Sequence, residues 1–237
     1  MIAKRPPVLA HDRFVADREN FSGLDLAARF ARIEQTNLWG AASSVSGLGS
    51  EDPATEAIRE ELPSLLQRLG ARSLLDAPCG DAGWIGRVAL GCDYTGIDIV
   101  PSLIEANRRR VTAGELSGRF FVADITRDAL PRADVILCRD CLVHLSFANI
   151  ARAVTRFADS GARFLLVTTF PEWDANRDCE DGDWRALNME RGPFNWPAPH
   201  ALINERCEEG DGGWRDKSIG LWRLDELPDG GLGAEAD

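Results

Sequence analysis

At 237 residues with 44% hydrophobic side chains, the chain is long enough for one large α/β core and too short for two ordinary domains with linkers. A formal net charge of −11 argues against the basic face that phosphate-backbone binders need, so no nucleic-acid partner is expected, whereas an acidic surface tolerates a cationic small molecule. There is no run of about 18 apolar residues, no signal-peptide pattern in MIAKRPPVLAHDRF and no framework spacing among the six cysteines; a soluble, cytoplasmic chain with reduced thiols and no membrane partner is expected.

Residues 1–20 are polar, carry Pro6-Pro7 and read as a loose arm. Apolar residues at helical spacing from Leu24 to Ile33 predict a helix, and the Gly- and Ser-dense stretch Trp39–Pro53 predicts a long loop. Thr55–Leu69 has a helical pattern, with Asp52 as candidate cap, Pro53 in the first turn and Gly70 as stop. Strands then alternate with helices. Ser73–Asp76, Tyr94–Asp98, Arg119–Ala123, Asp134–Cys138 and Phe164–Thr169 read as strands, and Trp84–Leu90, Pro101–Val111 and Phe147–Ala158 as helices. After Thr169 the rhythm breaks: Pro171 to Pro199 is rich in Trp, Pro and polar residues. Ala201–Cys207 and Lys217–Leu224 then read as an antiparallel hairpin, and the Gly-rich tail after Pro228 as frayed.

The segment Ser73–Gly83, SLLDAPCGDAG, runs from a short apolar strand through a carboxylate into a turn of small residues. Such a loop lets backbone approach a nucleotide cofactor, and an acid at the strand end suits an ammonium better than a pyrophosphate. An ordinary tight turn would look similar. Twenty-two residues on, the second strand ends in Asp98, where a carboxylate accepts both hydroxyls of a ribose, the alternative being a helix cap before Pro101. The third strand ends in Asp124, an acceptor suited to an exocyclic amine or, alone, to a loop cap. The fourth strand leads into Cys138-Arg139-Asp140-Cys141-Leu142-Val143-His144. Its C-x-x-C lacks a second Cys pair or His pair, so no metal site is expected. Asp140 and His144 stand where a reacting group would lie beyond the strand end, and are candidates to position or deprotonate a nucleophile; His144 packed on the next helix is the competing expectation.

LLDAPCGDAG resembles motif I of class I S-adenosylmethionine-dependent methyltransferases, with Pro78 at the first glycine of Gly-x-Gly-x-Gly, Gly80 at the second and Ala82 at the third. The resemblance implies a Rossmann-like seven-stranded, mostly parallel sheet with a C-terminal antiparallel hairpin. Residues 1–54 would be an N-terminal arm and helical cap, and 55–237 the methyltransferase domain, with a substrate-capping insertion over 171–200. It implies S-adenosylmethionine as cofactor, with Asp76, Pro78, Gly80 and Trp84 in the first loop. Asp98 would hold the ribose, Ile99 and Ile125 would pack near the adenine and Asp124 would receive its amino group. Arg139 would contact the methionine carboxylate or pair with Asp140, and Trp39 with Ser46 and Gly47 would cover the methionine end. Glu172, Trp173, Asn195 and Trp196 would line the acceptor pocket. Over most of its length, through SVSGLGSEDPAT, CRDCLVHLS and NWPAPHALINE, the chain is similar to aminoglycoside N-methyltransferases of gentamicin-type antibiotic pathways. That likeness implies transfer to an amine of a cationic aminosugar. O-methylation of a sugar or polyketide hydroxyl with His144 as base is the alternative, and a non-catalytic adenosylmethionine-fold binding module another. A nicotinamide-dependent oxidoreductase is disfavoured by Asp124 and by the lack of a pyrophosphate-type glycine loop.

Overall fold

The computed structural model describes residues 5–233. Five parallel strands, β1 Ser73–Asp76, β2 Asp93–Asp98, β3 Arg119–Val122, β4 Val135–Cys138 and β5 Phe164–Thr169, are joined to an antiparallel pair, β6 Ala201–Asn204 and β7 Ser218–Arg223. The sheet order is β3-β2-β1-β4-β5-β7-β6, with β7 inserted antiparallel to β5. This is the Rossmann-like arrangement expected from the alternation of elements, hairpin included.

Neighbouring strand residues face opposite sides, which explains why both faces of the central strands are apolar. Leu74, Val135, Leu137 and Leu166 pack on Ile58, Leu62, Leu65 and Leu66 of the helix Asp52–Leu69 and on Ile104 of the helix Pro101–Thr112. Leu75, Ile136, Cys138, Leu165 and Val167 pack on Ile150, Ala153 and Phe157 of the helix Phe147–Asp159. In chain order the helices are α1 Leu9–Asp17, α2 Leu26–Gln35, α3 Asp52–Leu69, α4 Pro101–Thr112 and α5 Phe147–Asp159. None is long and apolar enough to cross a membrane.

Four local expectations differ from the structure. The arm is helical over Leu9–Asp17, because Phe14 inserts with Phe21 into a small core with Ile33 and Leu38 and gives a polar stretch one strong anchor. Residues 1–4 of that arm lie outside the described residues. The helix expected over Trp84–Leu90 shrinks to a single turn, Ile85–Arg87; Gly86 and Gly91 weaken helix there, and a Cβ on Gly86 would collide with Leu116. Within the long loop, Leu48–Ser50 forms a short 3₁₀ turn. The tail is tied down through Gly233, with Trp196 Nε1 donating to the Gly231 carbonyl at 2.7 Å and Gly233 N–H to the Pro193 carbonyl at 2.8 Å.

Reversal of strand order between β1 and β4 opens a crevice beyond the carboxyl ends of the parallel strands, the usual ligand position in open α/β sheets. Asp76 and Asp98 are the last residues of β1 and β2, and Asp124 and Asp140 lie two residues past the ends of β3 and β4. Four carboxylates therefore reach one edge of the sheet.

Candidate active site

A cleft lies at this edge, lined by Asp76, Pro78, Gly80, Trp84, Asp98, Ile99, Asp124, Ile125 and Arg139 from the sheet side. Trp39 and Ser46 roof it from the loop before α3, and Leu26, Phe30 and Ile33 of α2 add an apolar wall. A second, smaller cavity shares Trp39, Ser46, Asp140 and His144 with the first. It continues between Val8–Ala10, Gly47–Gly49, Phe170, Trp184, Glu209, Trp214 and Lys217. Gly47, expected at the methionine end, lines only this second cavity.

The loop after β1 is held in place from three sides. Asp98 accepts from the Gly80 N–H at 3.0 Å and the Val100 N–H at 2.9 Å. Asn107 of α4 donates to the Gly80 carbonyl at 2.8 Å, and Arg110 to the Asp81 carbonyl at 2.6 Å. From above, Ser44 donates to the Asp81 carboxylate at 2.6 Å and Ser46 Oγ accepts the Asp81 N–H at 3.1 Å. Gly80 has φ +53°, and a Cβ there would collide with Ser46 Oγ, so a side chain would both strain the turn and push the roof away.

Burial pushes the Asp76 carboxyl up to about 7, although the Tyr94 hydroxyl donates to it at 2.8 Å. Burial likewise raises Asp98 to about 6 against the backbone N–H groups that favour its charged form. Asp124 spends Oδ1 on its own turn, accepting from the Thr126 N–H at 2.8 Å and the Thr126 hydroxyl at 2.7 Å. The cap and the cleft-facing position thus coexist in one residue.

Beyond β4, Asp140 accepts from Lys217 Nζ at 2.6 Å and lies 3.4 Å from Arg139. Burial alone would raise its pKa, yet these two cations outweigh burial and hold it well below the carboxylate range. Of the two roles expected for Asp140, positioning or deprotonating a nucleophile, its ion pairs with Lys217 and Arg139 fit positioning. Arg139 is likewise committed: it donates to Glu205 at 2.6 Å and to the Gly49 carbonyl at 2.6 Å, so it braces the roof loop and pairs with Asp140.

His144 is built differently. Its turn, Leu142–His144, is clamped by Arg185, which donates to the Leu142 carbonyl at 2.6 Å and to the Leu145 carbonyl, and by the Gly182 N–H on the His144 carbonyl at 2.8 Å. Since a carbonyl only accepts, the 2.8 Å contact to the Asp183 carbonyl places the proton on Nδ1 and leaves Nε2 with a lone pair. Burial pushes the ring down to about 4, so it is neutral at physiological pH, and it stacks on Trp39 with centroids 4.5 Å apart. The packing partner is Trp39 of the roof loop, at the boundary of the two cavities.

The four residues expected at the acceptor do not converge. Glu172 lies on a separate open groove with Asn204 and Asp216, and Trp173 packs on Trp214 and beneath the Arg5 guanidinium. Asn195 and Trp196 line neither cavity: Trp196 is buried against Trp222 and Phe194, and exposed Asn195 takes a turn with φ +52°. The aromatic walls come instead from Phe170, Trp184 and Trp214. Among the described residues no cluster of three or more His, Cys, Asp or Glu has metal-holding geometry, and Cys138 and Cys141 are free thiols.

Residues 74–160, from β1 to the end of α5, match the family model for a methyltransferase domain. The match covers a little over a third of the chain. Among solved structures the chain is similar to the methyltransferase domain of bacterial CtHen1-C, at 13% identity and TM-score 0.52 over 71% of this chain and 97% of that one. Magnesium protoporphyrin IX methyltransferase from Synechocystis PCC 6803, solved with bound S-adenosylhomocysteine, aligns at 16% identity and TM-score 0.42 over 69% and 71%. A protein described for conversion of a disulfide bond into a thioacetal group during echinomycin biosynthesis aligns at 22% identity and TM-score 0.38 over 46% of this chain, which spans 49% of that one. At these identities the likeness is one of fold. No curated protein matches the chain.

A methyltransferase domain on this fold implies S-adenosylmethionine as methyl donor, and the residues present fit it. The apolar floor of Ile99, Leu103 and Ile125 suits an adenine, and the carboxylates of Asp98 and Asp76 suit a ribose and an ammonium. Because Asp76 must ionise to pair with an ammonium, binding at low pH must release a proton. S-adenosylhomocysteine affinity is expected to rise about tenfold between pH 6 and 8 and to level off above, and Asp76→Asn to flatten the profile. Calorimetry across that range checks this, and a flat wild-type profile would remove Asp76 from the ammonium site.

Proposed function

We propose that the protein is an S-adenosylmethionine-dependent methyltransferase acting on an amine of a small, cationic, aminosugar-like acceptor. The observation that carries this reading is the pair of cavities meeting at His144 and Asp140: a cleft with strand-end carboxylates for the cofactor, and an aromatic chamber beyond it for the acceptor. The α1 segment, the loop Gly47–Gly49 and Trp184 of the 171–200 stretch act as covers that exclude water and hold the acceptor in line with the methyl group. When bound, the cofactor supplies an electrophilic methyl on a sulfonium. His144 Nε2 takes the proton that the acceptor loses, and the Asp183 carbonyl on Nδ1–H keeps the ring in the tautomer that can do so.

Aromatic rings beside carboxylates favour a protonated amine as the resting guest, since ring faces and anions both attract ammonium groups. A second reading, O-methylation of a sugar hydroxyl, is favoured by the same neutral His144. A labelled-methyl transfer screen over aminosugars and matched hydroxylated sugars separates the two. Transfer to aminosugars supports the first; transfer to hydroxyl analogues alone replaces it with the second. In either case His144→Ala is expected to lower kcat by about 100-fold or more while S-adenosylhomocysteine affinity stays within about threefold. Unchanged turnover in that variant would dismiss His144 as base.

A further inference from the structure

The charges around the second cavity do not cancel. Arg139 and Lys217 face Asp140 and Glu205: Lys217 Nζ lies 2.6 Å from Asp140 and 3.3 Å from Glu205, and Arg139 lies 2.6 Å from Glu205 and 3.4 Å from Asp140. Two cations and two carboxylates thus neutralise one another. Glu209 is left over. It lines the same cavity, is half-buried, and among the described residues its carboxylate has neither an ion pair nor a hydrogen bond. Burial raises its pKa against the pull of Lys217 and Arg139, neither of which forms an ion pair with it.

Beside it stands an aromatic corner. Trp184 and Trp214 meet edge to face with centroids 5.0 Å apart, Phe170 lies 5.6 Å from Trp214 and 5.9 Å from Trp184, and all three line the cavity. Ring faces with one uncompensated carboxylate make a cation site; Arg5 lies over the Trp214 ring at 5.0 Å but is paired with Asp216, and among the described residues no cation pairs with Glu209. His144 lines both the cofactor cleft and this cavity, whereas Glu209 lines this cavity and not the cleft.

We propose that Glu209 with Phe170, Trp184 and Trp214 forms an anchor for a second ammonium of the acceptor, selecting diamino or polyamino ring compounds over monoamines. This rests on the second cavity being the acceptor chamber. One nitrogen would sit at His144 as the methylated atom, while another, never methylated, binds at Glu209 and fixes the ring between them. No proton or bond changes at the anchor; it contributes binding and orientation.

The test uses shape-matched probes, trans-1,4-diaminocyclohexane, trans-4-aminocyclohexanol and trans-1,4-cyclohexanediol, titrated into the full chain saturated with S-adenosylhomocysteine and followed by calorimetry and tryptophan fluorescence. The diamine is expected to bind about tenfold more tightly than the amino alcohol, and the diol more weakly still. Glu209→Gln should erase the diamine's advantage and leave S-adenosylhomocysteine affinity unchanged, and Glu209→Asp should restore part of it. Equal binding of diamine and amino alcohol by the wild-type chain, no saturable binding of either, or an undiminished advantage in Glu209→Gln would each overturn the anchor. Failure of the chain to bind S-adenosylhomocysteine at all would instead strike the methyltransferase reading, so the two failures are distinguishable.

Discussion

Asp98→Ala is expected to weaken S-adenosylhomocysteine binding about 100-fold. Two consequences of one deletion combine to give this. The carboxylate is 5% exposed at the end of β2 and faces the cleft, where it would accept both hydroxyls of a ribose; each hydrogen bond to a charged group contributes about 1.5–3 kcal/mol, and about 1.4 kcal/mol is a factor of ten. The same carboxylate holds the Gly80 and Val100 N–H groups, so its removal also loosens the turn on which the cofactor would lie. Asp98→Asn keeps one acceptor oxygen and is expected to lose about tenfold. Calorimetry on the two variants gives the answer directly: alanine and asparagine variants that both bind as tightly as wild type would place the ribose elsewhere.

The sheet edge was largely readable in the sequence because the first two parallel strands end on an acid and the third and fourth are followed by one two residues on. The length of one strand-helix unit brings Asp76, Asp98 and Asp124 into register, so all three are found without any knowledge of contacts. The loop glycines were weaker guides, since Pro78 and Ala82 replace two of the three. Ala82 nevertheless adopts φ +48°, and Asn107, which ties down Gly80 from α4, carries no local signal at all.

What was not readable depends on long-range pairing. Lys217 and Glu205 reach Asp140 and Arg139 across 77 and 66 residues only because β7 inserts beside β5 and carries β6 with it. A pattern of apolar residues predicts the hairpin but not which cation arrives at the end of β4. The four acceptor candidates are scattered for a related reason. Trp173, Trp184, Trp196 and Trp214 all sit in polar, Gly- or Pro-rich stretches, and composition does not say which side of the sheet each will cover. Trp196 goes to the Trp222 side and satisfies its N–H on Gly231, whereas Trp184 and Trp214 wall the chamber.

Arg139→Met is expected to lower stability by about 3–5 kcal/mol, a shift in Tm on the order of 10 °C for a chain of this size. Glu205 is 2% exposed and Arg139 7%, and removing the guanidinium leaves two buried carboxylates facing the single ammonium of Lys217. It also frees the Gly49 carbonyl, which sits where a Cβ would come within 2.5 Å of the Asp140 carboxylate, so the roof loop loses its brace at its closest approach to the site. Replacing both partners, Arg139→Met with Glu205→Leu, removes the unpaired charge and is expected to recover more than half of the loss, because a buried pair costs more to break than to exchange for apolar side chains. Thermal denaturation of the single and double variants decides this; equal losses in both would mean that the network contributes by shape rather than by charge. The pH dependence has a definite sign. Asp140 is held below its ordinary value of 3.8 despite burial, by Lys217 and Arg139, so its contribution is fully present above pH 4 and is lost as pH falls through its depressed folded value. Acid therefore weakens this network in the wild-type chain. In Arg139→Met, where one of the two cations is gone, the loss begins at higher pH. The quartet is balanced in charge, and Glu209, which lines the second cavity outside that balance, is the carboxylate on which the proposed preference for a cation depends.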